Sequence, residues 1–164
     1  MFARHFIDSL DFARNGKELS DVVPLAAMPR LQDLLASRDG EVGYTVRGMS
    51  DKDGNPVLEL VIEGVCQLRC QRCLQGFDYP LKLVSRLLLV PPGELDDFAE
   101  VDAEEADRIP ADRHLDVQDM IEDEILLSLP FAPKHPFGEC RPAVEDSDGA
   151  SQNPFAVLAS LKGK

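Results

Sequence analysis

Four residues in this chain have side chains that could share one metal ion: Cys70, Cys73, His135 and Cys140. The first two form Cys70-Gln71-Arg72-Cys73, a spacing that lets two thiolates grip one cation from a tight turn. A soft cation such as zinc closes its shell with two further nitrogen or sulfur donors. His135 and Cys140, some sixty residues downstream, are the candidates. If the two pairs meet, a metal would clip the middle of the fold to its C-terminal part. A single Cys-x-x-Cys pair also suits thiol–disulfide chemistry, but thioredoxin-like pairs open a helix after a strand in a βαβ setting. The flanks here read as antiparallel strands, so a thiol oxidoreductase is the minor reading. The bland alternative is four structural cysteines. Cys66 shares strand parity with Leu58, Leu60 and Ile62 and reads as a small buried core residue.

Other chemistry is thin. His5 and His114 have no evident nucleophile or carboxylate partners, and there is no glycine-rich phosphate loop or nucleophile elbow. Glu122, Asp123 and Glu124 are consecutive on a predicted helix, so they point apart and cannot converge on one ion. The expectation is a protein that is not an enzyme.

The elements that must position the cysteines follow from pattern. Glu41 to Met49 and Val57 to Val65 read as strands joined by the turn residues Asp53-Gly54-Asn55-Pro56, which predicts an antiparallel hairpin. Phe77 to Val90 is a third strand, so the cysteine pair lies in the connection between the second and third. Phe2 to Ala13 reads as a short strand, Pro29 opens a predicted helix ending at Asp39-Gly40, and Arg108 to Leu115 can add one strand. Asp116 is a suitable N-cap for a helix over Val117 to Leu129. Its face with Val117, Met120, Ile121, Ile125 and Leu127 is read as inward; Asp119, Glu122 and Asp123 are read as facing water, with Leu126 an apolar spot among them. Prolines 130, 133 and 136 keep the following segment extended. Phe155 to Leu161 reads as a short terminal helix.

The 164 residues suit one domain, 1–164, with a core that needs no disulfides. The expected fold class is α+β: an antiparallel sheet of about four or five strands packed by two or three helices. A mobile acidic loop is expected at about 94–107, and a loose polar segment at about 143–152. No secretory signal or run of apolar residues long enough for a membrane span is present, so the expected location is cytoplasmic.

Charge is distributed unevenly. Residues 1–90 carry 11 basic and 12 acidic side chains, and residues 91–164 carry 6 and 18, giving a net −13. The acidic half would repel phosphate and attract a basic protein, of which ribosomal proteins are a common kind. Asp119, Glu122, Asp123 and Leu126 form the candidate partner surface. The alternative is direct RNA binding through the near-neutral half, using Arg69, Arg72, Lys82 and Arg86.

Three segments together carry a family resemblance: Cys70-Gln71-Arg72-Cys73, Met120 to Pro130 (MIEDEILLSLP), and Asn153 to Lys162 (NPFAVLASLK). In order and spacing they resemble the YceD-type large ribosomal RNA subunit accumulation proteins, from about residue 20 to the end. The resemblance implies a ribosome-biogenesis factor needed for synthesis, processing or stability of 23S ribosomal RNA. It also implies metal binding, with zinc the candidate, by Cys70, Cys73 and Cys140, and by His135 less directly. The expected partner is a basic ribosomal protein or assembly factor, from the charge, or the 23S RNA itself, with no membrane and no small-molecule substrate.

Overall fold

The computed structural model describes residues 4–93 and 107–140. Of the acidic loop expected at about 94–107, residues 94–106 lie outside the described residues, as do the polar segment 143–152 and the terminal helix expected at Phe155 to Leu161; Asp107 begins a strand.

The central feature is a five-stranded sheet. Its strands are β2 (Glu18–Pro24), β3 (Glu41–Ser50), β4 (Pro56–Arg69), β5 (Gly76–Val90) and β6 (Asp107–Pro110), lying side by side in chain order. The first four are antiparallel neighbours, as the hairpin signals predict. β6 pairs parallel to β5, so the sheet is mixed and the expectation of a purely antiparallel sheet is corrected. A second sheet of two short strands joins β1 (Phe6–Ile7) to β7 (Leu115–Asp116). The described residues hold two α-helices, α1 (Ser9–Arg14) and α2 (Val117–Ser128).

The sheet has one apolar face and one open face. Along β4, Leu58, Leu60, Ile62, Cys66 and Leu68 point inward and are at most 1% exposed, the period of two that a half-covered strand requires. Val42, Tyr44 and Val46 from β3 and Leu81, Leu87 and Leu89 from β5 complete this face. Val117, Met120, Ile121 and Ile125 of α2, Phe12 and Ala13 of α1, and Leu25, Met28 and Leu31 belong to the same core. The opposite face carries cross-strand rungs: Glu18 pairs with Arg47 at 2.7 Å and Arg86 with Glu59 at 3.3 Å, while Arg47 and Glu59 lie opposite in register. Alternating charge in adjacent strands suits a solvated surface.

Three sequence expectations give way. In the described part of the segment expected as one strand over Phe2 to Ala13, the two-residue strand Phe6–Ile7 is followed by a helix, because the Asp8 side chain accepts from the Asp11 amide and caps the turn. The segment from Pro29 does not make an α-helix. It forms a short 3-10 turn at Pro29–Leu31, just after another at Leu25–Ala27, and then Leu35 bridges to Leu68 and the Ala36 amide donates to the Gln67 carbonyl. On α2, Glu122 does not face water: it is 1% exposed and paired with Arg30. Leu126 is half-buried against the core, whereas Leu127, expected inside, is exposed. Twelve residues at 100° per residue leave no clean apolar stripe, so neighbouring contacts decide each side chain.

Candidate metal centre

β4 and β5 are joined by a turn so tight that the chain reverses within Cys70–Gln75. The Cys70 amide donates to the Gln75 carbonyl at 2.9 Å, and the Leu74 amide donates to the Cys70 carbonyl at 2.9 Å. Leu74 closes the turn at φ 63, the left-handed region in which glycine is the usual occupant. Gly76 then starts β5 against Ala36, where a Cβ would stand 2.9 Å from the Ala36 Cβ.

The second half of the site arrives from α2. Leu129 takes an extended conformation at the helix C-cap, and Pro130, Pro133 and Pro136 carry the chain back across the knuckle. The Gln71 amide donates to the Pro133 carbonyl at 2.8 Å, which fixes this strap beside the turn. The His135 ring tilts against Phe77 with centroids 4.9 Å apart, presenting Nδ1 to the cysteines.

The result is a four-residue cluster. One ligand atom from each of Cys70, Cys73, His135 and Cys140 lies within 4.8 Å of all the others. Cys70 Sγ is 3.9 Å from Cys140 Sγ, and Cys73 Sγ is 3.4 Å from His135 Nδ1. Tetrahedral zinc with bonds of about 2.0–2.3 Å sets such atoms about 3.6–3.8 Å apart, so the cluster fits the ion. Cys70 and Cys73 are buried, and Cys140 and His135 half-buried. Cys66 lies outside the cluster, in the core, as its parity predicts.

The electrostatics favour a cation there. Burial opposes a thiolate at Cys70, but the amides of Cys73, His135 and Arg72 and the His135 side chain outweigh it and bring the thiol down to about 5. Burial pushes the Cys73 thiol up, and its sulfur neighbours Cys140 and Cys70 push it further. Crowded thiolates repel one another, and a divalent cation among them removes that repulsion. Three thiolates and a neutral imidazole would leave a zinc site at −1, with the Arg72 guanidinium facing Cys140 to balance it. Burial pushes the Cys66 thiol up to about 11, against a lowering backbone hydrogen bond.

The other sequence-selected residues are distributed differently. Arg69 ends β4 beside the knuckle and Arg72 lies within it. Lys82 and Arg86 are six and ten residues beyond Gly76 along β5, about 20 and 33 Å away at strand rise, and Arg86 is held by Glu59. Asp119 binds Arg4 at 2.6 Å and Asp123 binds Arg30. The acidic face of α2 is therefore already met by this chain's own arginines, Arg4 and Arg30, whose role the sequence does not reveal because they lie about ninety or more residues away.

A mixed sheet covered on one face by helices, with a Cys3His cluster clasping the β4–β5 turn to the strap after α2, defines a small α+β protein built round a peripheral metal-type knuckle. The chain belongs to the family of YceD large ribosomal RNA subunit accumulation proteins, whose family model matches residues 58–162. That span contains all four clustered residues and begins in β4. No solved structure matches this chain. The family is described by a role in ribosomal RNA accumulation, not by a reaction. No helix among the described residues is long and apolar enough to cross a membrane.

Proposed function

We propose that this protein is a non-enzymatic factor in the accumulation of 23S ribosomal RNA, and that Cys70, Cys73, His135 and Cys140 hold a structural zinc ion. The observation that carries the zinc reading is the convergence of four donor atoms from two segments more than sixty residues apart. Bound zinc would supply cross-linking: it fixes the β4–β5 turn to the strap and leaves no open coordination position for a substrate. A redox role for Cys70 and Cys73 has less support, because the pair occupies a β-turn and gains nothing from a helix N-terminus.

A basic protein partner remains compatible with the charge of −13. Docking on α2 has less support, because Glu122 is buried and the exposed Asp119 and Asp123 already bind arginines. Elemental analysis of the gently purified protein tests the metal, with one zinc per chain expected and none in Cys73→Ser. The cellular role is tested by the ratio of 23S to 16S RNA after deletion of the gene. Restoration is expected with the intact chain and not with Cys73→Ser. An unchanged ratio on deletion overturns the role.

A further inference from the structure

Two segments frame the cysteine knuckle, Leu68–Gly76 and Leu129–Gly138. Together they hold Arg69, Arg72 and Lys134 and no Asp or Glu, in a chain of net charge −13. Acidic residues close by are Asp33, on the wall of one groove, Asp78, two residues beyond Gly76 and bonded to Gln67, and Glu139, which follows Gly138. The same segments carry two phenylalanines with no packing partner among the described residues: Phe131 is 106% exposed and Phe137 101%. Phe131 lines a groove with Arg69, Gln71 and Leu74. Phe137 lines a neighbouring concavity with Arg72 and Cys140.

Wholly exposed phenyl rings are an unfavourable arrangement in water unless something covers them. The surrounding charge selects what that is. Arg4, Arg30, Arg47 and Arg86 are tied to carboxylates. Arg69 and Lys134 are exposed and have no carboxylate partner among the described residues, and Arg72 is exposed although its guanidinium faces Cys140. Flat apolar rings set beside cations, two of which (Arg69 and Lys134) have no carboxylate partner among the described residues, match the two surfaces of a single strand of nucleic acid, bases for the rings and phosphates for the cations. A basic peptide would be repelled by the cations, and a peptide of acidic side chains alone would leave the rings uncovered. Duplex RNA, with its bases stacked inside, offers the rings nothing.

We infer that the rim of the metal clasp is a binding surface for unpaired RNA, with bases stacked on Phe131 and Phe137 and phosphates met by Arg69, Arg72 and Lys134. This rests on the ribosomal RNA role proposed above and gives it a contact site. The strap carries both phenylalanines and Lys134 and is fixed to the knuckle by Gln71 and His135, so the clasp sets the spacing of the surface.

The test is fluorescence anisotropy of the zinc-loaded full chain with a labelled, unstructured oligouridylate of about a dozen nucleotides. The intact protein binds it in preference to a duplex, with a slope of log affinity against log salt of about −2 for three cations. Phe131→Ala with Phe137→Ala weakens binding about thirtyfold or more while metal content stays unchanged, both rings being exposed. Arg69→Ala and Lys134→Ala each flatten the slope by about 0.7. Lys82→Ala and Arg86→Ala on the sheet leave the affinity unchanged. The inference is overturned if the intact chain does not bind, if the double phenylalanine variant binds equally well, or if the sheet variants carry the loss. It is also overturned if the phenylalanine variant keeps its RNA affinity and instead loses a large-subunit protein in co-purification, since the surface would then be a protein dock. These outcomes are read in purified material, so they are separable from the 23S ratio that tests the cellular role.

Discussion

The carboxylate of Glu122 receives three donors from one short segment: the Arg30 amide at 2.6 Å, the Arg30 guanidinium Nε at 3.0 Å and the Leu31 amide at 3.3 Å. It acts as a remote cap on the 3-10 turn at Pro29–Leu31, which has no side-chain cap of its own. A side chain on α2 thereby fixes the segment that delivers Leu31 and Leu35 to the core. Glu122→Ala leaves two amides and a guanidinium without their acceptor and is expected to cost about 3 kcal/mol. Thermal denaturation should show a fall of about 6–12 °C, while Asp119→Ala and Asp123→Ala, on exposed pairs, lower stability by less than about 1 kcal/mol. Equal losses for Glu122 and Asp123 would contradict the capping role.

Metal removal should separate the cysteines into two classes. With zinc bound, alkylation at neutral pH modifies few thiols. After chelation Cys70, Cys73 and Cys140 become reactive, and Cys66, 1% exposed inside the sheet, stays protected until the chain unfolds. Mass mapping of the alkylated sites reads this directly. Modification of Cys66 together with the other three would show that the clasp supports the whole core.

Stability should decline above pH 9. Burial holds the Cys66 thiol up at about 11 against an ordinary value of 9.0, and the Tyr44 hydroxyl at about 12 against 10.0. Between the ordinary and the raised value the unfolded chain has lost a proton that the folded chain keeps, so rising pH favours unfolding. Below pH 9 neither group contributes a slope. Two pH units correspond to roughly 2–3 kcal/mol for Cys66. Urea titrations of Cys66→Ala and of the parent should therefore diverge between pH 9 and 11. Parallel curves would show that the buried thiol does not cause the decline.

Gly48 marks the closest approach of α1 to the sheet. A Cβ there would lie 2.1 Å from the Phe12 carbonyl oxygen and 2.7 Å from the Ala13 Cα, both backbone atoms that cannot swing away. Gly48→Ala is expected to destabilise by about 3 kcal/mol or more. Gly54→Ala, in open space at φ +85, costs only about 1 kcal/mol from the left-handed backbone. Denaturant midpoints of the two variants should differ accordingly, and similar midpoints would show that α1 shifts freely on β3.

The elements with long, regular patterns were legible without coordinates. Alternation in β3, β4 and β5 and the Asp116 cap on α2 are local signals, and the Asp116 side chain does accept from the Gln118 and Asp119 amides. β2 was not legible, because as an edge strand it buries only Val23 among its seven residues and so shows no alternation. α1 was misread, since six residues are too few for a helical period to stand out from a strand.

Residue types and spacing by themselves determined that four donors suited to zinc exist, that two of them sit in a tight connection between strands, and that the chain is acidic. Covalent spacing and side-chain chemistry are enough for that. Only the tertiary structure decided that His135 and Cys140 meet Cys70 and Cys73, that Glu122 turns inward to Arg30, and that Phe131 and Phe137 stand uncovered beside Arg69 and Arg72. Those are contacts between distant segments, set by how α2 docks on the sheet and where the proline-held strap then runs, and no local pattern encodes them.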